Sequence, residues 1–151
     1  MKRNVILFLG LILFFACGED GPDFEAYAGS YTNESIRDEC PDPSQNASVA
    51  ADENGVCLLI DDNIQCQLVT LDLAVDGTYA LTSQRSIEAF GSLIPQAPIT
   101  DRGVYTIDEN QLIFDMGTAD EFSMAIVSKS ALDWEILTTT AGCSRMYRMS
   151  R

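Results

Sequence analysis

Residues 69–81 constrain this chain more than any other stretch. Apolar and polar side chains alternate on both sides of Asp76-Gly77, the period of a half-buried antiparallel strand pair. The length of the loop decides which side chains face one another. A two-residue Asp76-Gly77 turn sets Leu71 and Leu73 opposite Thr82 and Ala80, which mixes the faces. A three-residue loop, Val75-Asp76-Gly77 with Gly77 in the left-handed conformation, sets Leu73 opposite Tyr79 and Leu71 opposite Leu81. Only the second arrangement leaves one continuous apolar face, so it is the predicted register.

The same alternation recurs down the chain. It predicts a first strand over 29–37, the hairpin strands up to 75 and from 78 to about 87, and then strands over 100–107, 112–116, 122–126, 132–136 and 143–149. The turn at 108–111 sets Ile107 opposite Leu112 and Tyr105 opposite Phe114. In the last strand Cys143, Arg145, Tyr147 and Met149 take the inward parity. Residues 23–27 read as a helical turn that tucks Phe24 and Tyr27 under one end. Residues 38–66, with Pro41, Pro43 and Asp52-Glu53-Asn54-Gly55, read as a long irregular loop. Residues 88–98 read as a loop unusually rich in apolar side chains. Eight sequential strands joined mostly by short turns predict an all-β domain over 26–151, an eight-stranded up-and-down antiparallel barrel.

Ahead of this domain, Met1-Lys2-Arg3-Asn4 precedes an apolar run to Ala16 and then Cys17. A basic start, a short apolar core and a small residue before a cleavage point make residues 1–16 a secretory signal. The run is too short to span a bilayer, which takes about 20 residues. Cys17 directly after Ala16 resembles the lipidated cysteine of bacterial lipoproteins, although Phe14 and Phe15 depart from the usual leucine and small residue. Residues 17–25, with Glu19, Asp20 and Asp23, form an acidic tether. That tether is either a solvated spacer or a surface-export signal of the kind found in lipoproteins of Bacteroidota. Without Lys2 and Arg3, seven basic residues face 23 acidic ones, a net charge of about −16. Such a charge argues against nucleic acid and against adhesion to anionic lipid surfaces.

Cys40, Cys57, Cys66 and Cys143 remain after Cys17 is set aside for lipidation. In an exported domain four cysteines imply two disulfides, with three possible connectivities. Closing the barrel lays the first strand antiparallel to the last, so the end of one approaches the start of the other. Cys40–Cys143 is therefore the predicted seam bond and Cys57–Cys66 the local one. Zinc is the competing reading, but the cysteine spacings do not suit it and no histidine is present to help.

Several short motifs carry a family resemblance: Gly29-Ser30-Tyr31, Asp76-Gly77-Thr78-Tyr79, Gly103-Val104-Tyr105-Thr106-Ile107 with Leu112-Ile113-Phe114, and Leu132-Asp133-Trp134. Over residues 26–149 the chain resembles the lipocalin-like lipoproteins of Bacteroidota, small calycin-type barrels. The resemblance implies a cup for one small apolar ligand on a protein anchored at the bacterial outer membrane. Lipocalins carry a tryptophan where Tyr31 stands, covered by an arginine of the last strand. Here Arg145 or Arg148 is the implied partner of Tyr31.

With no histidine, the chain lacks a Ser-His-Asp or Cys-His apparatus, and Asp52-Glu53 and Asp61-Asp62 lack the spacing of a calcium loop. The expectation is a protein that is not an enzyme and takes no metal or cofactor. The inward set is Leu71, Leu73, Tyr79, Leu81, Tyr105, Phe114, Met124, Ile126, Trp134 and Ile136. An eight-stranded barrel has room for these side chains alone or for one small ligand besides. Candidate ligand contacts are Tyr79, Leu81, Tyr105, Phe114, Met124 and Trp134, with Phe90, Leu93 and Ile94 as a lid or a plug. The alternative is a protein-interaction module, a protease inhibitor or surface-complex component, with a filled barrel and residues 38–62 as its contact.

Overall fold

The computed structural model describes residues 21–60, 62–137 and 142–151. The signal segment 1–16, Cys17 and the first part of the tether lie outside these residues. The elements are a helical turn α1 (Phe24–Tyr27) followed by β1 (Gly29–Glu39), β2 (Ala47–Ala50), β3 (Val56–Ile60), β4 (Asn63–Leu73), β5 (Thr78–Ala89), β6 (Ser92–Pro95), β7 (Ile99–Asp108), β8 (Gln111–Phe114), β9 (Phe122–Ser128), β10 (Ala131–Leu137) and β11 (Ser144–Ser150). All pairings are antiparallel. β1 pairs with β11 on one side and with β4 on the other, which closes β1-β11-β10-β9-β8-β7-β5-β4 into an eight-stranded barrel.

The hairpin adopts the three-residue loop. Gly77 sits at φ 80°, a conformation that strains any residue with a Cβ. Leu73 pairs with Tyr79 and Leu71 with Leu81. Tyr105 likewise pairs with Phe114 and Ile107 with Leu112. Tyr31, Leu71, Leu112, Phe114, Met124, Leu132 and Met149 are fully buried and make one interior. The outward positions between them carry Asp72, Arg102, Ser123, Asp133 and Arg148. A wall apolar inside and polar outside is the inverse of a membrane-spanning barrel.

Residues 38–66 are not the irregular loop that their turn formers suggest. They hold the end of β1, all of β2 and β3 and the start of β4. β1 keeps company with β4 only from Gly29 to Thr32, then runs beside β2 from Ser35 to Asp38. Above the parting, β3 pairs with β4 and sends Val56 inward onto Ile36 and Tyr147. The parting falls at Asn33, where the β1–β11 ladder also slips register. The Asn33 side chain replaces the lost backbone bonds. Its Nδ2 donates to the Gln67 carbonyl at 2.9 Å, and its Oδ1 accepts from the Val69 amide at 2.9 Å. Cys40–Cys143 then ties β1 to the start of β11, and Cys57–Cys66 ties β3 to β4.

Residues 88–98 are a strand hairpin rather than a loop, and Phe90 is not folded into the barrel as a plug. β5 runs on to Ala89 and turns back as β6, so Phe90 stands fully exposed at the tip of a hairpin beyond the barrel wall. Ile94 on that hairpin, and Leu59, Ile60 and Ile64 on the β3–β4 hairpin, are exposed too.

The arginine expected over Tyr31 is a different one. Arg145 pairs with Asp38 at 2.7 Å, and Arg148 pairs with Asp133. Arg151 supplies the guanidinium, 5.6 Å from the centre of the Tyr31 ring. It also donates to the carbonyls of Ala28 and Ala26, beside Gly29, and so ties the segment after β11 to the start of β1.

Candidate functional site

The two ends of the barrel differ in how they are finished. At the end where the chain enters, α1 lies across the opening, and its Asp23 cap accepts from the Ala26 amide. Phe24 packs edge-on against Tyr105 with ring centres 5.1 Å apart. The Tyr105 hydroxyl donates to the Ala74 carbonyl at 2.9 Å, and burial pushes its pKa up to about 12. The Tyr31 hydroxyl donates towards the carbonyls of Tyr27 and Lys129, at 2.9 and 3.0 Å. This end is sealed by side chains that satisfy one another's polar groups.

From that seal, aromatic rings run through the interior to the other end. Tyr105 lies 6.1 Å from Phe114, which stacks on Phe122 at 4.5 Å. Phe122 lies 5.5 Å from Trp134, and Trp134 lies 5.6 Å from Tyr147. Tyr79 meets both phenylalanines edge-on, at 5.0 and 6.1 Å. Burial loosens in the middle of the series and returns at its last member, Tyr147, which is buried. Tyr105, Phe114 and Tyr79 are buried, whereas Phe122 and Trp134 are partly exposed, as are Leu81 and Ile136. Those four side chains lie toward the end away from α1, the mouth of the barrel.

The mouth has a low side and a high side. β8 is only four residues long, so the wall ends early there and continues as the loop 115–121. β4 and β5 run to eleven and twelve residues and stand above it. On the low side Asp115 sits at φ 50° with its carboxylate folded over Gly103. A Cβ at position 103 would collide with that carboxylate, so glycine is needed there. Asp115 accepts from the Tyr79 hydroxyl at 2.5 Å and from the Val104 amide at 3.1 Å. Asp101 pairs directly across from Leu81 and therefore shares its inward face. Asp120 precedes Phe122 by two residues in the loop. Burial raises the pKa of the Tyr79 hydroxyl, and the charges of Asp115, Asp101 and Asp120 add to that rise.

The expected ligand contacts thus separate into three groups. Tyr79, Tyr105, Phe114 and Met124 belong to the packed interior, and only Tyr79 reaches the mouth through its hydroxyl. Leu81 and Trp134 line the mouth itself. Phe90 and Leu93 sit on the β5–β6 hairpin, at the end of β5 away from α1. Phe122 is the mouth residue that the inward set lacks. Its alternation with Met124 and its pairing with Phe114 are the signals that place it. Asp101 was hidden because an acidic residue at an inward position breaks the pattern by which strands are read. Several clefts lie on the outer wall, one of them lined by Glu34, Arg37, Asp133 and Arg148 and another by Gln111, Ser123 and Met146. Among the described residues no group of acidic or cysteine side chains is arranged to hold a metal ion.

Comparison of the chain with family sequence models, with curated proteins and with solved structures finds no match, so the reading of function stands on the barrel and its mouth.

Proposed function

We propose that this protein is a bacterial envelope lipoprotein of the lipocalin-like kind, held to the outer membrane by a lipid on Cys17, whose barrel binds a small hydrophobic ligand. The observation that carries the binding half is the half-buried state of Phe122, Trp134, Leu81 and Ile136 toward the barrel end that α1 does not cover. Apolar side chains left in contact with water at a concave mouth gain by being covered, about 25 cal/mol per Å² of apolar surface. The anchoring half rests on the signal segment and on the position of Cys17.

Trp134 is the chain's single tryptophan, so its emission reports directly on the mouth. Titration with medium-chain alcohols, fatty acids and alkylamines is expected to shift that emission saturably. Trp134→Phe abolishes the signal, and Phe122→Ser weakens the affinity. No response from any apolar probe would mean that the interior is simply a core.

A further inference from the structure

We propose that the free edge of β3 receives an extended segment of another protein as an added strand, apolar at its centre and basic at its ends. This goes beyond the ligand reading of the mouth and does not depend on it. Three observations support it.

First, the barrel wall is closed below Asn33 and open above it. The β1–β4 ladder runs from Gly29 to Thr32, after which β1 pairs with β2 and β4 with β3. β2 and β3 are the two ends of the strand order, and among the described residues they do not pair with each other. Along an antiparallel strand the backbone groups of successive residues turn to opposite sides. The Gln67 carbonyl and the Val69 amide turn towards Asn33, so that side of β4 bonds to Val56, Leu58 and Ile60. Cys57 and Leu59 therefore turn their N–H and C=O groups to the open side of β3. A strand laid alongside takes up such groups.

Second, this edge is unguarded. Natural sheets protect an exposed edge with proline or charge, as β6 does with Pro95. β3 is Val56-Cys57-Leu58-Leu59-Ile60, without either. Leu59 is 72% exposed and Ile60 41%, and Ile64, opposite Leu59 in the hairpin, is exposed too. Alternate side chains of an added strand would cover Leu58 and Ile60 on one face and Leu59 on the other.

Third, the surroundings of the edge select the charge of its partner. Asp52 and Glu53 lie just before β3 and Asp62 just after it, all three exposed. The ion pairs among the described residues are Arg37–Glu39, Arg145–Asp38 and Arg148–Asp133, so none of these three carboxylates is answered. Five residues of strand cover roughly 17 Å, so basic side chains about six residues apart reach both groups. A second copy of this chain, with a formal net charge of −14, would bring repulsion instead.

The probe is a dye-labelled peptide with blocked ends, Lys-Val-Thr-Val-Thr-Val-Lys, titrated with the protein and followed by fluorescence anisotropy. It is expected to bind at least about tenfold more tightly than the same peptide with glutamate at both ends or with proline at its centre. The margin over the glutamate peptide is expected to shrink as salt rises. At saturation, hydrogen exchange at the Cys57 and Leu59 amides is expected to slow at least about tenfold. Leu59→Pro removes one outward N–H without touching the ladder to β4 and is expected to abolish binding. Leu59→Thr keeps that N–H and is expected to weaken binding only severalfold. Failure of the lysine peptide to bind, equal affinity for the glutamate peptide, or unchanged exchange at both amides overturns the proposal. So does binding that survives in folded Leu59→Pro protein; should that variant not fold, the exchange measurement decides. Dimers of the protein alone that Leu59→Thr weakens would make a second copy the occupant and overturn it as well.

Discussion

Asn33 is the residue on which the shape of this barrel turns, and nothing in its immediate sequence announces it. It is 3% exposed, and both ends of its amide are used, one as donor and one as acceptor, against the backbone of β4. An asparagine is almost the only side chain that can imitate a peptide group in both directions at once. Replacing it with alanine leaves the Gln67 carbonyl and the Val69 amide buried without partners. That omission costs about 1–3 kcal/mol. Asn33→Ala is therefore expected to lower the urea midpoint by an amount equivalent to about 2 kcal/mol, while Asn110→Ala in the exposed β7–β8 turn changes it little. Equal small losses at both positions would show that water takes over the work of the amide. The same scale explains why Arg151 went unforeseen. Parity places Arg145 and Arg148 on one wall or the other, but Arg151 reaches Tyr31 from just past the end of β11, where periodicity gives no guide.

Among the elements, strands that bury every second residue were readable from sequence, and strands without that alternation were not. Pairings such as Leu73 with Tyr79 and Tyr105 with Phe114 follow from a period of two and a loop length, because a slip of one residue would turn the whole apolar set outward. β2 and β3 give no such signal. Val56-Cys57-Leu58-Leu59-Ile60 is a continuous apolar run, and what holds it is the ladder with β4, the burial of Val56 and a disulfide. The β5–β6 hairpin is obscure for a related reason. Its apolar residues lie outside the barrel, so burial cannot explain them. The two disulfides act on these elements unequally. Cys40–Cys143 encloses 103 residues of sequence separation and Cys57–Cys66 only 9. In the chain-entropy account a loop near 100 residues is worth about 4–5 kcal/mol and one near ten about 2–3. Urea unfolding of the paired alanine variants is expected to show the seam bond costing about 2 kcal/mol more to lose. Equal losses would mean that β1 and β11 hold together without it.

At the scale of the whole molecule, closure is what the first and last strands accomplish, and it was foreseeable because eight strands of one parity have only one interior to share. What the barrel takes in was less accessible. The mouth is marked by an acidic residue, Asp101, at an inward position and by a strand of only four residues, and both read as flaws in a regular pattern until the fold explains them. Real folds break their own patterning mostly where they act. The cystine between positions 40 and 143 has one more consequence, for what happens if the backbone is cut. Phe90, at the tip of the β5–β6 hairpin, is the most exposed large hydrophobic side chain among the described residues, which makes it the natural point of attack for chymotrypsin. A cut there separates two halves that remain covalently linked across the seam. The clipped protein is expected to migrate as one band without reductant and as two with it, and to keep its barrel in both halves until the cystine is opened.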